Sequence, residues 1–135
     1  MTTSPHHLLV IDDEPFIAHI IEIQFSRGPF RVSSAADGTA ALAFLRAHRD
    51  VALILVDVGL PGRSGLDVME EARREPAWAS VPWVVLTATG QKAHHERARA
   101  LGAAAFVTKP FSPSKLYHQV CELLGEPAGP VEGPA

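Results

Sequence analysis

The chain has 135 residues, 47% of them hydrophobic and 20% charged, which suffices for one domain with one core and is too short for two. Its formal net charge of -3 comes with mixed signs and no Lys/Arg run, so direct nucleic-acid binding, which needs a basic surface, is not expected. Apolar runs far shorter than about 18 residues, no signal-peptide pattern and a single cysteine, Cys121, predict a cytoplasmic protein without a membrane partner.

The first apolar run, residues 8–11, predicts a strand that ends at Asp12 and Asp13. Pro15 then suits the first turn of a helix, which Gly28 and Pro29 would end. This helix is predicted to be amphipathic, with inward positions at Ile17, Ile20, Ile21 and Phe25. Residues 30–34 alternate weakly, which is typical of an edge strand.

The next unit begins at the turn Asp37-Gly38, which leads into an alanine-rich helix over residues 39–48 with Leu42 and Leu45 inward. Six apolar residues, 51–56, then run into Asp57 and a turn. The turn is punctuated by Gly59, Pro61, Gly62 and Gly65. An apolar run without polar alternation is typical of a parallel strand covered on both faces, so Asp57 is predicted at the carboxyl end of a central strand.

A third helix is indicated by Leu66, Met69 and Ala72 and ends before Pro76. Residues 81–86 form a further predicted strand, with Pro82 at its start and Thr87 at its end. Residues 91–101 have helical propensity, but their only large apolar residue is Leu101. Because its inward face is thin, we expect this helix to be mobile.

The last predicted strand, residues 103–107, leads to Thr108-Lys109-Pro110. A final helix over residues 112–124 is stopped by Gly125. Its predicted inward residues are Leu116, Val120, Leu123 and Leu124. Residues 126–135 lack apolar bulk and are rich in Pro and Gly, which predicts a disordered tail.

Strict alternation of strands and helices with short connections predicts an α/β fold: a (βα)5, doubly wound parallel sheet with helices on both faces. No dinucleotide-binding G-x-G-x-x-G and no P-loop are present. The polar residues that follow the strands are therefore the candidate site residues. They are Asp12, Asp13, Asp57, Thr87 and Lys109.

Carboxyl ends of parallel strands meet at one edge of the sheet, so these side chains are expected to lie together. Two carboxylates about 4 Å apart repel by roughly 4 kcal/mol at an effective dielectric of 20, so a cation is needed. An all-oxygen set without Cys favours Mg2+. A metal, an amine and a hydroxyl around one carboxylate suit phosphoryl transfer.

Four motifs, in order at strand ends, make residues 7–124 resemble a response-regulator receiver domain of the CheY type. The motifs are Val10-Ile-Asp12-Asp13-Glu14-Pro15, Asp57-Val-Gly-Leu-Pro61-Gly-Arg-Ser-Gly65, Leu86-Thr87-Ala88 and Phe106-Val-Thr-Lys109-Pro110-Phe111. The resemblance implies a flavodoxin-like sheet with strand order 2-1-3-4-5. It also implies a receiver domain over residues 1–125 and a role in bacterial two-component signalling.

The resemblance further implies a role for each site residue. Asp57 would accept the phosphoryl group, and Mg2+ would be bound by Asp13, Asp57 and the backbone carbonyl of Gly59, with Asp12 acting through water. Lys109 would pair with the phosphoryl group, Thr87 would hydrogen-bond it, and Phe106 would rotate inward on activation. Lys109-Pro110 is expected to be a cis peptide. Gly59 and Thr89 depart from the side chains often found at their positions, which the resemblance places beside the water that would hydrolyse the acyl phosphate.

Simpler structural interpretations accompany several of these residues. Asp12 and Asp13 could cap the first helix, and Phe106 could be core, switch or both. The adjacent pair His94-His95 is expected at the surface, since its members do not share a helical face. His6-His7 is expected to be a solvated start of the first strand, and Cys121 to be a half-buried small residue.

The expected function is a stand-alone, phosphorylation-switched binding module rather than a conventional enzyme. Its expected partners are a histidine kinase or phosphotransfer protein and an unidentified downstream protein. The signal would leave through the face made by helix 91–101, strand 103–107 and helix 112–124; a weak homodimer is left open. The alternatives are an aspartate-nucleophile phosphatase or phosphotransferase, against which Gly59 speaks, and a pseudo-receiver that takes no phosphate.

Overall fold

Five parallel strands form one sheet in the computed structural model, which describes residues 5–88 and 92–127. The strands are β1 (His6–Ile11), β2 (Phe30–Ala35), β3 (Val51–Asp57), β4 (Trp83–Thr87) and β5 (Ala105–Thr108). The order across the sheet is β2-β1-β3-β4-β5 and all pairs are parallel. The predicted doubly wound α/β architecture and its strand order are confirmed.

Five α-helices connect and cover the strands. They are α1 (Pro15–Phe25), α2 (Gly38–Ala47), α3 (Gly65–Arg73), α4 (Lys92–Ala100) and α5 (Pro113–Leu124), with a short 3-10 helix at Pro76–Trp78 before β4. Among the described residues, no helix has the length and apolar character required to cross a membrane.

The alternation of side chains along β1 and β3 divides the core into two layers. Leu8 and Leu53 pack with residues of α1 and α5 on one face of the sheet. Leu9 and Ile54 pack with residues of α2 and α3 on the other face. Because β1 and β3 are central, both of their faces are buried, which explains their unbroken apolar sequence.

The helix ends follow local sequence signals. Asp37 accepts a hydrogen bond from the backbone N–H of Ala40 at the start of α2 (2.8 Å), and Ser64 and Asp67 form a capping box at the start of α3. Gly125 ends α5 in the left-handed conformation, with φ of 71°. Asp12 and Asp13 do not cap α1, whose N-cap residue is Glu14. The capping alternative for these two carboxylates is therefore wrong.

Two predictions about α5 are wrong in a related way. Leu123 was expected inward but is 37% exposed, whereas Cys121 is fully buried rather than half-buried. The buried arc of the helix is centred between Val120 and Cys121, and Leu123 lies at the margin of that arc.

The predicted solvated start of β1 is also wrong for His7, which is only 2% exposed. Its Nε2 lies 2.7 Å from Ser33 Oγ, and its Nδ1 lies 3.1 Å from Asp50 Oδ1. These partners allow a polar ring to be buried at little cost. His6 is half-buried and its Nε2 lies 2.7 Å from Glu126 Oε1. Most of the predicted disordered tail, residues 128–135, lies outside the described residues.

Strand starts differ by one or two residues from the sequence prediction. β4 begins at Trp83 rather than at residue 81, since Pro82 has no N–H to donate, although its carbonyl accepts from Ile54 N–H. β5 begins at Ala105 rather than at residue 103. Helix α4 spans Lys92–Ala100, and residue 91 of its predicted range lies outside the described residues.

Candidate functional site

Two buried carboxylates lie side by side at the carboxyl edge of the sheet. Ile11 pairs with Val56 across β1 and β3, so the residues that follow them, Asp12 and Asp57, are neighbours. Asp12 is 4% exposed and Asp57 is 5% exposed. The strand register that builds the core thus also places the two charges together.

Asp13 and Glu14 complete an acidic cluster with these two carboxylates. One carboxylate oxygen from each of the four residues lies within 4.8 Å of those from the other three. Asp13 and Glu14 are exposed and form the open side of the cluster. Such a set of oxygen ligands, open to solvent on one side, fits a hard cation that keeps some of its water, such as Mg2+.

Lys109 is the cation at this cluster. Its Nζ donates to Asp12 Oδ2 (2.8 Å) and Glu14 Oε1 (3.3 Å) and lies 3.5 Å from Asp57 Oδ2. The Lys109-Pro110 peptide bond is cis, and Lys109 N–H donates to the carbonyl of Thr87. The amine is therefore held between the two buried carboxylates.

The pKa values reflect this crowding. Burial raises the pKa of Asp57 and the charge of Asp12 raises it further, while Lys109 and the backbone N–H of Gly59 act in the opposite direction. Burial disfavours the charged form of Lys109, but its hydrogen bond to Asp12 and the charges of Asp12 and Asp57 outweigh this and raise its pKa. The amine therefore stays charged, and the extra negative charge at Asp57 is only partly compensated.

The turn after Asp57 is closely packed beneath the site. Val58 N–H donates to the carbonyl of Leu86, and Gly65 N–H donates to the carbonyl of Val58 (3.0 Å). A Cβ atom at Gly65 would collide with the backbone carbonyl of Asp57. By contrast, a Cβ at Gly59 would meet only Asp57 Oδ2, at 3.8 Å. Gly59 therefore leaves the space beside the carboxylate of Asp57 open.

Thr87 lies at the end of the neighbouring strand, in register with Thr108 of β5, and is 2% exposed. Together with Asp57 it lines an open cavity of about 410 Å3 above the carboxylates. The wall of this cavity is formed by Asp13, Glu14, Asp57, Val58, Gly59, Thr87, Ala88, His94 and Lys109. The arrangement can accept a small tetrahedral anion between a carboxylate, an amine and a hydroxyl.

His94 and His95 are not the surface pair that the sequence predicted. Both are half-buried, and His94 lines the cavity. The ring of His95 lies on that of Phe106, with centroids 3.5 Å apart and planes inclined by 30°. Phe106 is itself half-buried and packs against the core layer that contains α2 and α3. The adjacent histidines thus reach two different places, because successive helical residues point about 100° apart.

The comparison with known families decides the assignment. Residues 8–121 match the family model described as the response regulator receiver domain. The chain belongs to this family. Receiver domains are the modules of response regulators in two-component signalling, as the sequence motifs had indicated.

Two relatives of similar sequence support the assignment. The chain is 35% identical over 130 residues to the probable transcriptional regulator ycf27 of Cyanophora paradoxa, covering 96% of this chain and 53% of that protein. It is 32% identical over 118 residues to the response regulator SaeR of Staphylococcus aureus strain USA300, covering 87% of this chain and 50% of that protein. The chain therefore spans about half the length of these relatives.

Solved receiver structures share the fold. The chemotaxis response regulator CheY4 of Vibrio cholerae aligns with a TM-score of 0.77 and 25% identity, over 90% of this chain and 97% of that one. A CheY-like receiver domain protein of Methanospirillum hungatei JF-1 aligns with a TM-score of 0.84 and 23% identity, over 90% and 95% of the two chains.

The structure brings together every site residue predicted from strand ends, and it adds two residues of this receiver domain that the sequence analysis had not placed there. Glu14 joins the acidic cluster and contacts Lys109; its position directly after Asp13 could have indicated this. His94 forms part of the cavity wall, which no sequence spacing indicated. Phe106 lies apart from the cavity wall, against His95.

Proposed function

We propose that this receiver domain accepts a phosphoryl group on Asp57, in a reaction that depends on Mg2+. The supporting observation is the position of Asp57: a buried carboxylate between Asp12 and Lys109 at the base of an open cavity. Asp13, Asp57 and the carbonyl of Gly59 would hold Mg2+, with Asp12 contributing through water. The ion, when bound, neutralises charge that accumulates on the phosphoryl oxygens.

In the proposed transfer, a carboxylate oxygen of Asp57 forms a bond to phosphorus while the bond from phosphorus to the donor breaks. The donor is a phosphohistidine of a histidine kinase or phosphotransfer protein, and the electron pair of the broken bond leaves with its nitrogen. The amine of Lys109 donates a hydrogen bond to Asp12 in this structure and lies 3.5 Å from Asp57. It can therefore pair with an incoming phosphoryl oxygen. The hydroxyl of Thr87 is the other protein group proposed to follow the phosphoryl group.

The proposed signal is a change in protein binding at the face made by α4, β5 and α5. Thr87 precedes α4 in the chain, and Lys109 follows β5, which carries Phe106. Movement of either group therefore reaches this face. The downstream target is proposed to be a protein, with a weak homodimer as a further possibility for the same face.

Two other functions have less support. A phosphatase or phosphotransferase that uses an aspartate nucleophile would need a general acid two residues after it, and Gly59 has no side chain there. A pseudo-receiver scaffold would not need the buried acidic pair with its lysine, which costs free energy in a fold that binds nothing.

Acetyl phosphate and Mg2+ test the proposal directly. The wild-type chain is expected to gain one phosphoryl group, seen as a single mass increase by intact-protein mass spectrometry, and to gain none when Mg2+ is chelated. Asp57→Asn is expected to gain none under any condition.

Asp50→Asn is the matched control. Asp50 lies beside His7, at the amino-terminal ends of the strands and therefore away from Asp57. This variant should be labelled as the wild type is. Labelling that persists in Asp57→Asn, or that is independent of Mg2+, would contradict the proposed acceptor and the proposed metal.

A further inference from the structure

His94 is an ionisable member of the cavity wall that belongs neither to the acidic cluster nor to the proposed switch. It lies in the first turn of α4 and is half-buried. It lines the cavity together with Asp57, Thr87 and Lys109. Its Nδ1 is buried and has no hydrogen-bond partner among the described residues. A buried ring nitrogen without a partner constrains which of the two ring nitrogens carries the proton.

The unpartnered nitrogen favours one tautomer of the ring. A proton on Nδ1 would bury an N–H group with nothing to accept its hydrogen bond, whereas a proton on Nε2 leaves only a bare lone pair at Nδ1, which is the less costly choice. In that tautomer the hydrogen-bond donor of His94 is Nε2–H, and Nε2 is not among the buried unpartnered atoms of the described residues.

We propose that Nε2–H of His94 donates a hydrogen bond to the phosphoryl group on Asp57. This inference rests on the proposed function and adds a third phosphoryl-binding side chain to Lys109 and Thr87. A phosphoryl group on Asp57 has three terminal oxygens that accept hydrogen bonds strongly. Gly59 brings no side chain to the cavity, and His94 and Asp57 both line it.

The contact also connects the site to the proposed output face. His94 and His95 are adjacent in α4, and His95 lies on Phe106. A hydrogen bond that holds His94 toward the cavity therefore fixes the rotation of the first turn of α4. Through His95, it also fixes the surface against which Phe106 packs.

Beryllofluoride is the probe, because with Mg2+ it forms a tetrahedral phosphoryl mimic on a carboxylate. Its affinity is measured by fluorine NMR titration of the whole chain. His94→Ala is expected to weaken binding about tenfold or more, since a hydrogen bond to a charged group is lost. His94→Gln presents an amide N–H near the position of Nε2 and is expected to restore most of the affinity. His94→Asn presents its amide near the position of Nδ1 and is therefore not expected to restore the affinity.

His118→Ala is the matched control. His118 is also half-buried and also has a ring nitrogen without a partner among the described residues, but it does not line the cavity. This variant should bind beryllofluoride as the wild type does. Mg2+ affinity should be unchanged in all four variants, because His94 is not part of the acidic cluster.

Three results would overturn the inference. The first is wild-type affinity for beryllofluoride in His94→Ala. The second is weak binding in His94→Gln together with near wild-type binding in His94→Asn. The third is a parallel loss of Mg2+ affinity, which would indicate a general structural effect. Each assumes that the wild type binds the mimic and that Asp57→Asn does not. If the wild type fails to bind beryllofluoride, the proposed acceptor site itself is wrong, which is a distinct outcome.

Discussion

At the scale of single residues, the carboxylate of Asp57 is less stable as an anion than that of an ordinary aspartate. Burial raises the pKa of Asp57 and Asp12 adds repulsion, while Lys109 compensates only in part. The native state therefore binds a proton at Asp57 more readily than the unfolded state does. The ordinary pKa of an aspartate is 3.8. As the pH rises from that value through the raised pKa of Asp57, this group contributes progressively less to the free energy of unfolding, and the loss of stability persists at neutral pH.

Asp57→Asn is therefore expected to be more stable than the wild type at pH 7 without divalent cations. Urea unfolding in the presence of a chelator measures the difference. The gain should shrink at the lowest pH at which both proteins stay folded, because Asp57 is then increasingly protonated. It should also shrink when Mg2+ is added, because the ion stabilises the wild type more. Asp13→Asn, at an exposed carboxylate, should give a smaller gain; a less stable Asp57→Asn at pH 7 would contradict this account.

At the scale of elements, the turn from β3 to α3 fixes the backbone of the site. Gly65 lies against the carbonyl of Asp57 and donates its N–H to Val58, and Ser64 and Asp67 cap the helix that follows. The position of Asp57 thus depends on a close backbone approach that only glycine allows.

Gly65→Ala is expected to destabilise the fold by about 1–3 kcal/mol, because its Cβ would meet backbone that cannot move without shifting β3. Thermal or urea unfolding checks this. Gly59→Ala is the control from the same turn, since its Cβ would make only an ordinary contact with Asp57. Equal stability losses in the two variants would show that the close approach at residue 65 is not the cause.

The strands and the site edge could be predicted because they depend on signals local in sequence. Residues 51–56 form an apolar run that ends in a lone carboxylate, and that pattern alone placed Asp57 at the carboxyl end of a central strand. The strand ends then placed Lys109 beside Asp12. Such predictions succeed where the hydrophobic pattern of a strand and the common direction of parallel strands are enough to determine which residues meet.

The failures concern contacts made between elements. His7 is buried because Ser33 and Asp50 supply partners from distant positions, which its own neighbours do not indicate. Similarly, only the packing of α5 decides that Cys121 rather than Leu123 faces the core. His94 reaches the cavity because of the rotation of α4, and its sequence offers no apolar stripe from which that rotation could be read.

At the scale of the whole molecule, α4 is the helix attached least by apolar packing. Ala98 is its only residue that is buried among those described. Its other attachments include the ring contact of His95 with Phe106 and the ion pairs of Arg97, which donates to Asp67 (2.7 Å) and Glu70 (3.3 Å) of α3. Such partly exposed ion pairs contribute little to stability. An element held in this way can change its position for a small cost in free energy.

Amide hydrogen exchange with and without beryllofluoride and Mg2+ should therefore change across α4 and β5 as well as around Asp57. Phe106→Ala should reduce the change in α4 while leaving the labelling of Asp57 by acetyl phosphate intact. Helix α2 provides the internal control, because it follows β2, the edge strand farthest from β5. Its amide exchange should change little. A response confined to the residues around Asp57 would contradict the proposed output face.

The parallel sheet order has a further consequence for how the chain matures. Asp12 and Lys109 are 97 residues apart and meet only after β5 has been added at the edge of the sheet. A chain still emerging from the ribosome already contains both buried carboxylates but lacks the lysine that neutralises them. The proposed phosphoryl-binding site therefore cannot be completed until Lys109 has been synthesised and β5 has joined the sheet. A shorter nascent chain would lack this cation for its two carboxylates.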